Sequence, residues 1–157
     1  MKPVDSLTFR PAVAADAEAL TALCRAAKAH WRYPAAWLDA WRGDLRVTPE
    51  YIATGWVGVA EVSGETVGFY GLKRAADGWY LEHLWLEPKW IGRGLGRSLF
   101  AESAQAARAL GATELLIKAD PNAEGFYLKM GACRTRVETY LLLGTIKRDL
   151  PHFRFSL

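Results

Sequence analysis

The sequence predicts a mixed α/β domain built on a mostly antiparallel sheet, and three observations carry that reading. From Trp56 to Leu86 short apolar runs are separated by "SGE" and "ADG", the pattern of three consecutive hairpin-linked strands. Earlier in the chain Leu20, Leu23, Cys24 and Ala27 fall at helical spacing instead. A helix-length segment from about Leu95 to Leu110 then joins the meander to the apolar run "TELLIKA". That last arrangement is a β-α-β crossover, which is parallel and right-handed by rule.

The elements follow in order. Ser6 to Arg10 is a first strand ended by Pro11. Asp16 is placed to cap a helix running to about His30. Pro34 suits the first position of a short helix, "PAAWLDAWR", and Gly43 the position just past its end. Thr48 followed by Pro49 starts another turn of helix. The meander strands are Trp56–Val62, Thr66–Lys73 and Trp79–Leu86, the last ended by Pro88. The crossover helix closes at Gly111, and Thr113–Ala119 is so continuously apolar that burial on both faces is expected. Asp120 caps a short helix with Pro121 in its first position and Gly131 as terminator. Two strands close the chain, roughly Cys133–Leu143 and Phe153–Leu157. The alternation in "HFRFSL" places the final one at a sheet edge, where it can pair with a second copy as a homodimer.

Bulk properties bound the function. At 157 residues, half of them hydrophobic and a quarter charged, the chain reads as one globular domain, 1–157. A net charge of +3 with mixed signs gives no case for nucleic acid. Two distant cysteines, Cys24 and Cys133, and three scattered histidines supply neither a disulfide framework nor a metal site. No apolar run has the length of a membrane span, and "MKPVDSLTF" has no signal-peptide core, which points to a cytoplasmic location.

The densest motif is "WIGRGLGRSLF", with Gly92, Gly94 and Gly96 alternating with Arg93, Leu95 and Arg97 between strand and helix. Neither the G-x-G-x-x-G nor the G-x-x-x-x-G-K-[ST] pattern fits it. What remains is a glycine loop whose backbone N–H groups and helix N-terminus suit a diphosphate, with two arginines adding charge.

This loop, together with "ADPNAEGFYLKMGA" downstream, resembles the GNAT superfamily of N-acetyltransferases. That family carries Q/R-x-x-G-x-G/A after its fourth strand and F-Y-x-x-x-G-F on a short helix after its fifth, and the order of elements matches over nearly the whole chain. The departures are Ile91 at the Q/R position, Ala132 in place of the last Phe, and Asp120 where many relatives have Asn, with Asn122 two residues on. The resemblance implies helices on both faces of the sheet and a splayed pair of fourth and fifth strands. It implies acetyl-CoA as co-substrate, its pantetheine bonded by the backbone of Leu84, Trp85 and Leu86. Gly92 to Arg97 then hold the pyrophosphate, and either Asp120 or Asn122 takes the asparagine's part.

The implied reaction moves an acetyl group to a primary amine of a small molecule or peptide by direct attack. A lysine-like amine is only roughly 0.04% neutral at pH 7, so a proton must be removed. The departing thiolate in turn gains from a proton, and the motif puts Tyr127 beside the sulfur as its donor. For the base, Glu82 shares a face with Leu84 and Leu86 by alternation, whereas His83 points the other way unless a bulge intervenes. A water chain is the third route. On the acceptor side Trp31, Tyr33, Trp37 and Trp41 either wall a pocket for an aromatic or cationic amine or form an ordinary helical core face. The rival reading is a non-catalytic acyl-CoA-binding module on the same fold.

Overall fold

A computed structural model describes residues 6–157. The expected start without a signal peptide falls largely on residues 1–5 and lies outside the described residues. The order is β1 (Leu7–Pro11), α1 (Ala17–Ala29), α2 (Ala35–Ala40), α3 (Pro49–Ile52), β2 (Val57–Val62), β3 (Glu65–Ala75), β4 (Gly78–Leu86), α4 (Leu95–Ala109), β5 (Glu114–Lys118), α5 (Glu124–Lys129), β6 (Cys133–Leu142) and β7 (Ile146–Ser156). The strands form one seven-stranded sheet in the order β1-β2-β3-β4-β5-β7-β6. Among the described residues only β4 and β5 pair in parallel.

Alternation along the strands sorts the core into two faces. Val57, Val59, Phe69 and Trp85 pack with Leu20, Leu23 and Cys24 of α1. Ala60, Val62, Leu84 and Leu86 pack with Leu95 and Leu99 of α4. α5 adds Tyr127 and Phe126 to a third cluster around Phe100, Ile117 and Phe153. The hairpin at Ser63-Gly64 works because both residues have positive φ, 51° and 79°, as a type I′ turn requires.

Several expectations are corrected. Asp16 does not cap α1; its carboxylate accepts from the Val13 N–H at 2.8 Å and pairs with Arg10. Pro34 is the N-cap of α2 rather than its first residue. β5 is fully buried on one face only, through Leu115 and Ile117, while Glu114 and Leu116 are half-buried. The last strand begins at Ile146, seven residues before the expected Phe153. It lies between β5 and β6, so "HFRFSL" is interior and the edge strand on that side of the sheet is β6. Charged Lys147, Arg148 and Asp149, with Pro151, hid the strand from a reading by hydrophobic pattern. Pro151 is tolerated because it faces Ala119, one residue past the end of β5, where its carbonyl accepts from the Ala119 N–H at 2.9 Å and the ladder asks for no further donor.

Candidate active site

β4 and β5 share a single registered pair, Tyr80 with Leu116. Past it the strands diverge, so Leu84, Trp85 and Leu86 have no registered partner on the β5 side while β3 pairs them on the other. At the end of that gap the glycine loop leads into α4. Gly92 and Gly94 both have φ of +82°, and a Cβ on either meets nothing within 4 Å. Backbone conformation therefore requires these two glycines, and the space in front of them is open. Gly96 has a different reason, since a Cβ there comes within 3.0 Å of the Phe126 ring. Arg93 stacks over Trp90 at 4.2 Å, and Arg97 is exposed on the first turn of α4. Leu95 is buried and anchors the helix start. Open amides at the N-terminus of a fifteen-residue helix fit a diphosphate, and the unpaired edge of β4 fits an extended amide-bearing arm.

A cavity of about 720 Å³ opens on the face of the sheet opposite α4. Glu82, His83 and Trp85 line it together. This corrects the expected alternation: Leu72 pairs with Leu81 and Gly71 with His83, so Glu82 is an extra residue in a β-bulge. Leu84 and Leu86 stay under α4, and Glu82 turns to the cavity. His83 is buried, tilts against Phe69 and Tyr51, and accepts a hydrogen bond on Nδ1 from Trp85 Nε1 at 2.9 Å. Burial, with nearby Lys73 second, pushes its pKa down to about 4.

Tyr127 is buried among Phe100, Phe126 and Phe153 and is not part of the cavity lining. Burial holds its phenol above the ordinary range. Among the described residues its hydroxyl has no hydrogen-bond partner, leaving the donor uncommitted.

Asp120 and Asn122 act as one unit. The Asp120 carboxylate accepts from the Asn122 backbone N–H at 2.8 Å, and Asn122 Nδ2 donates to the same carboxylate at 3.0 Å. Lys28 of α1 pairs with Asp120 at 2.5 Å, and the Tyr33 hydroxyl donates to it at 2.9 Å. Burial pushes the Asp120 carboxyl up, but Lys28 and these hydrogen bonds outweigh it and hold it below the usual range. Burial and the Asp120 charge raise the Tyr33 phenol.

The aromatic group divides. Trp31 is exposed and contacts His30 alone among the rings. Trp41 is core, with Tyr33 and Trp37 packed on it. Cations of the protein itself already lie near the rings of Trp37 and Trp41. Lys28 lies 4.2 Å from the Trp41 centroid and Arg148 lies 5.0 Å from that of Trp37. Lys28 and Arg148 are the site residues that sequence reasoning missed. No local signal marks Lys28, whose partner Asp120 lies 92 residues away, and Arg148 lies between the two strands expected at Cys133–Leu143 and Phe153–Leu157.

Comparison with known proteins agrees with this fold. Residues 27–140 match the family model described as "Acetyltransferase (GNAT) domain". No curated protein matches the chain. Among solved structures, a GCN5-related N-acetyltransferase from Rhodopseudomonas palustris superposes with a TM-score of 0.76 at 23% identity, covering 100% of this chain and 98% of that one. The PaiA N-acetyltransferase of Thermoplasma acidophilum, in complex with coenzyme A, gives 0.74 at 19%, covering 97% and 99%. A ribosomal-protein-alanine N-acetyltransferase from Brucella melitensis gives 0.70 at 23%, covering 96% and 99%.

Proposed function

The chain belongs to the GNAT acetyltransferase domain family, and on that premise we propose that it transfers the acetyl group of acetyl-CoA to a primary amine of a small molecule or peptide. The observation that carries this reading is the gap between β4 and β5, open beyond Tyr80 and Leu116 and leading to the glycine loop. The coenzyme A complex of the Thermoplasma relative supports it. Leu84, Trp85 and Leu86 bond the pantetheine arm through their backbone, and the Gly92–Arg97 loop holds the diphosphate. Asp120 and Asn122 brace the far side through their mutual hydrogen bonds.

Acetyl-CoA supplies the activated acyl group. The neutral amine attacks the thioester carbon, the new C–N bond forms, and the C–S bond breaks. The amine proton leaves through Glu82 or water, and the thiolate takes its proton from Tyr127, so an amide and free coenzyme A result. His83 is buried with its Nδ1 already engaged by Trp85, whereas Glu82 lines the cavity with no ion-pair partner among the described residues, which favours Glu82 as the base. Transfer is direct. Cys24 is buried with its thiol pushed up to about 11 by that burial, and Cys133 lies outside the cavity lining.

The test is release of free coenzyme A from acetyl-CoA across a panel of primary amines, with mass spectrometry of the acceptor. Amine-dependent release with an acetylated product is expected. Tight binding of acetyl-CoA with no turnover on any amine supports the binding-module reading instead.

A further inference from the structure

Arg148 is an arginine without a counter-ion at the wall of the cavity. Its guanidinium carbon lies 5.1 Å from the Tyr33 ring centroid, 5.0 Å from Trp37 and 5.8 Å from Trp41. Nη2 donates to the Tyr33 hydroxyl at 3.1 Å, and Nε is buried without a partner. Among the described residues no carboxylate forms an ion pair with it. The nearest route to one is through Tyr33 to Asp120, and Lys28 already balances that carboxylate. Lys28, Arg148 and Asp120 therefore leave one positive charge on a partly desolvated aromatic wall.

A charge drawn out of water is expensive unless something of opposite sign meets it. The Tyr33 hydroxyl and the neighbouring rings hold this guanidinium in place, and the arginine fork matches a carboxylate better than other groups do. Of the carboxylates that share the cavity, Asp77 accepts from Tyr80 at 2.6 Å, Asp149 accepts from Thr139 at 3.1 Å, and Glu138 lies 3.5 Å from His152 Nε2. Asp44 and Glu82 also line it, with no ion-pair partner among the described residues. Lys73, Lys118 and Arg136 line it as well, also without an ion-pair partner among the described residues, but Arg148 is the cation held by hydrogen bond and ring contacts on the aromatic wall. The cavity thus presents both signs of charge, the complement of a zwitterion.

We propose that Arg148 receives a carboxylate of the acceptor, so that the acetylated amine belongs to an amino-acid-like molecule rather than to a simple amine. The proposal rests on the acetyl-transfer reading and narrows its acceptor. A volume of about 720 Å³ lies within the range of small-molecule sites.

The experiment uses matched sets of acceptors: an L-amino acid, its amide and its decarboxylated amine, for leucine, phenylalanine, methionine and glutamate. Coenzyme A release gives kcat/KM, and thermal shift with acetyl-CoA alone reports cofactor binding. A preference for the carboxylated member of about tenfold or more is expected, as a charge-assisted hydrogen bond supplies. In Arg148→Met that preference collapses toward unity, mainly through KM, and Arg148→Lys restores part of it. The acetyl-CoA thermal shift is kept in both variants, which shows that they fold. Equal or better use of the amide or simple amine overturns the proposal, and so does turnover confined to amines without a carboxylate. Preference unchanged in Arg148→Met overturns it too. If acetyl-CoA itself does not bind, the underlying reading falls, and the proposal with it.

Discussion

Tyr127 and His83 show how burial sets the role of single groups. The Tyr127 phenol is walled by Phe100 and Phe153 at centroid distances of 6.1 and 5.9 Å, and its raised pKa keeps the proton in place well above neutrality. We expect Tyr127→Phe to lower kcat by about 10²-fold or more, as loss of a general acid does, with acetyl-CoA affinity unchanged by calorimetry. An unchanged kcat removes Tyr127 from the mechanism. His83 has the opposite displacement, down to about 4. Unfolded, it titrates near 6.5, so between these values the unfolded chain binds the extra proton. Its stabilising contribution is whole above the unfolded value and is lost as pH falls toward the folded one. Roughly 2–3 kcal/mol should disappear between about pH 7 and about pH 4.5. Urea melts at both pH values check this, and His83→Gln should show a smaller acid loss.

At the scale of elements the strand-to-helix loop and the β4 bulge do most to shape the site. Gly92 and Gly94 are fixed by their positive φ, so an alanine at either costs about 1 kcal/mol without any clash. Thermal melts should show that loss at Gly94→Ala, together with weaker acetyl-CoA binding. Gly96→Ala differs in kind because its methyl meets the Phe126 ring. Adding Phe126→Leu should recover part of its cost, whereas the same change should do nothing for Gly94→Ala. The bulge explains why strict alternation misplaces Glu82. One extra residue between Leu81 and His83 reverses the facing of everything before it.

Across the whole molecule the pair of Lys28 and Asp120 ties α1 to the junction of β5 and α5. Both side chains are nearly buried, 13% and 10% exposed. Removing one partner strands the other, and we expect Lys28→Met to cost about 3 kcal/mol. Lys28→Met combined with Asp120→Asn should cost clearly less than the sum of the singles, as read from urea denaturation in a double-mutant cycle. Additive costs would show that the pair is not coupled.

The elements and their order were readable from the chain because they rest on local physics. The Leu20–Ala27 stripe, the Thr48 cap, the "SGE" turn and the glycine loop each declare themselves within a few residues. The two motifs at their separation carried the family. Tertiary structure alone decided the rest. Strand order put β7 inside the sheet, because an interior place depends on which neighbours supply hydrogen bonds rather than on the strand's own pattern. It also brought Lys28, Tyr33, Asp120 and Arg148 into one network, since charges far apart in sequence find their partners only when the chain closes on itself.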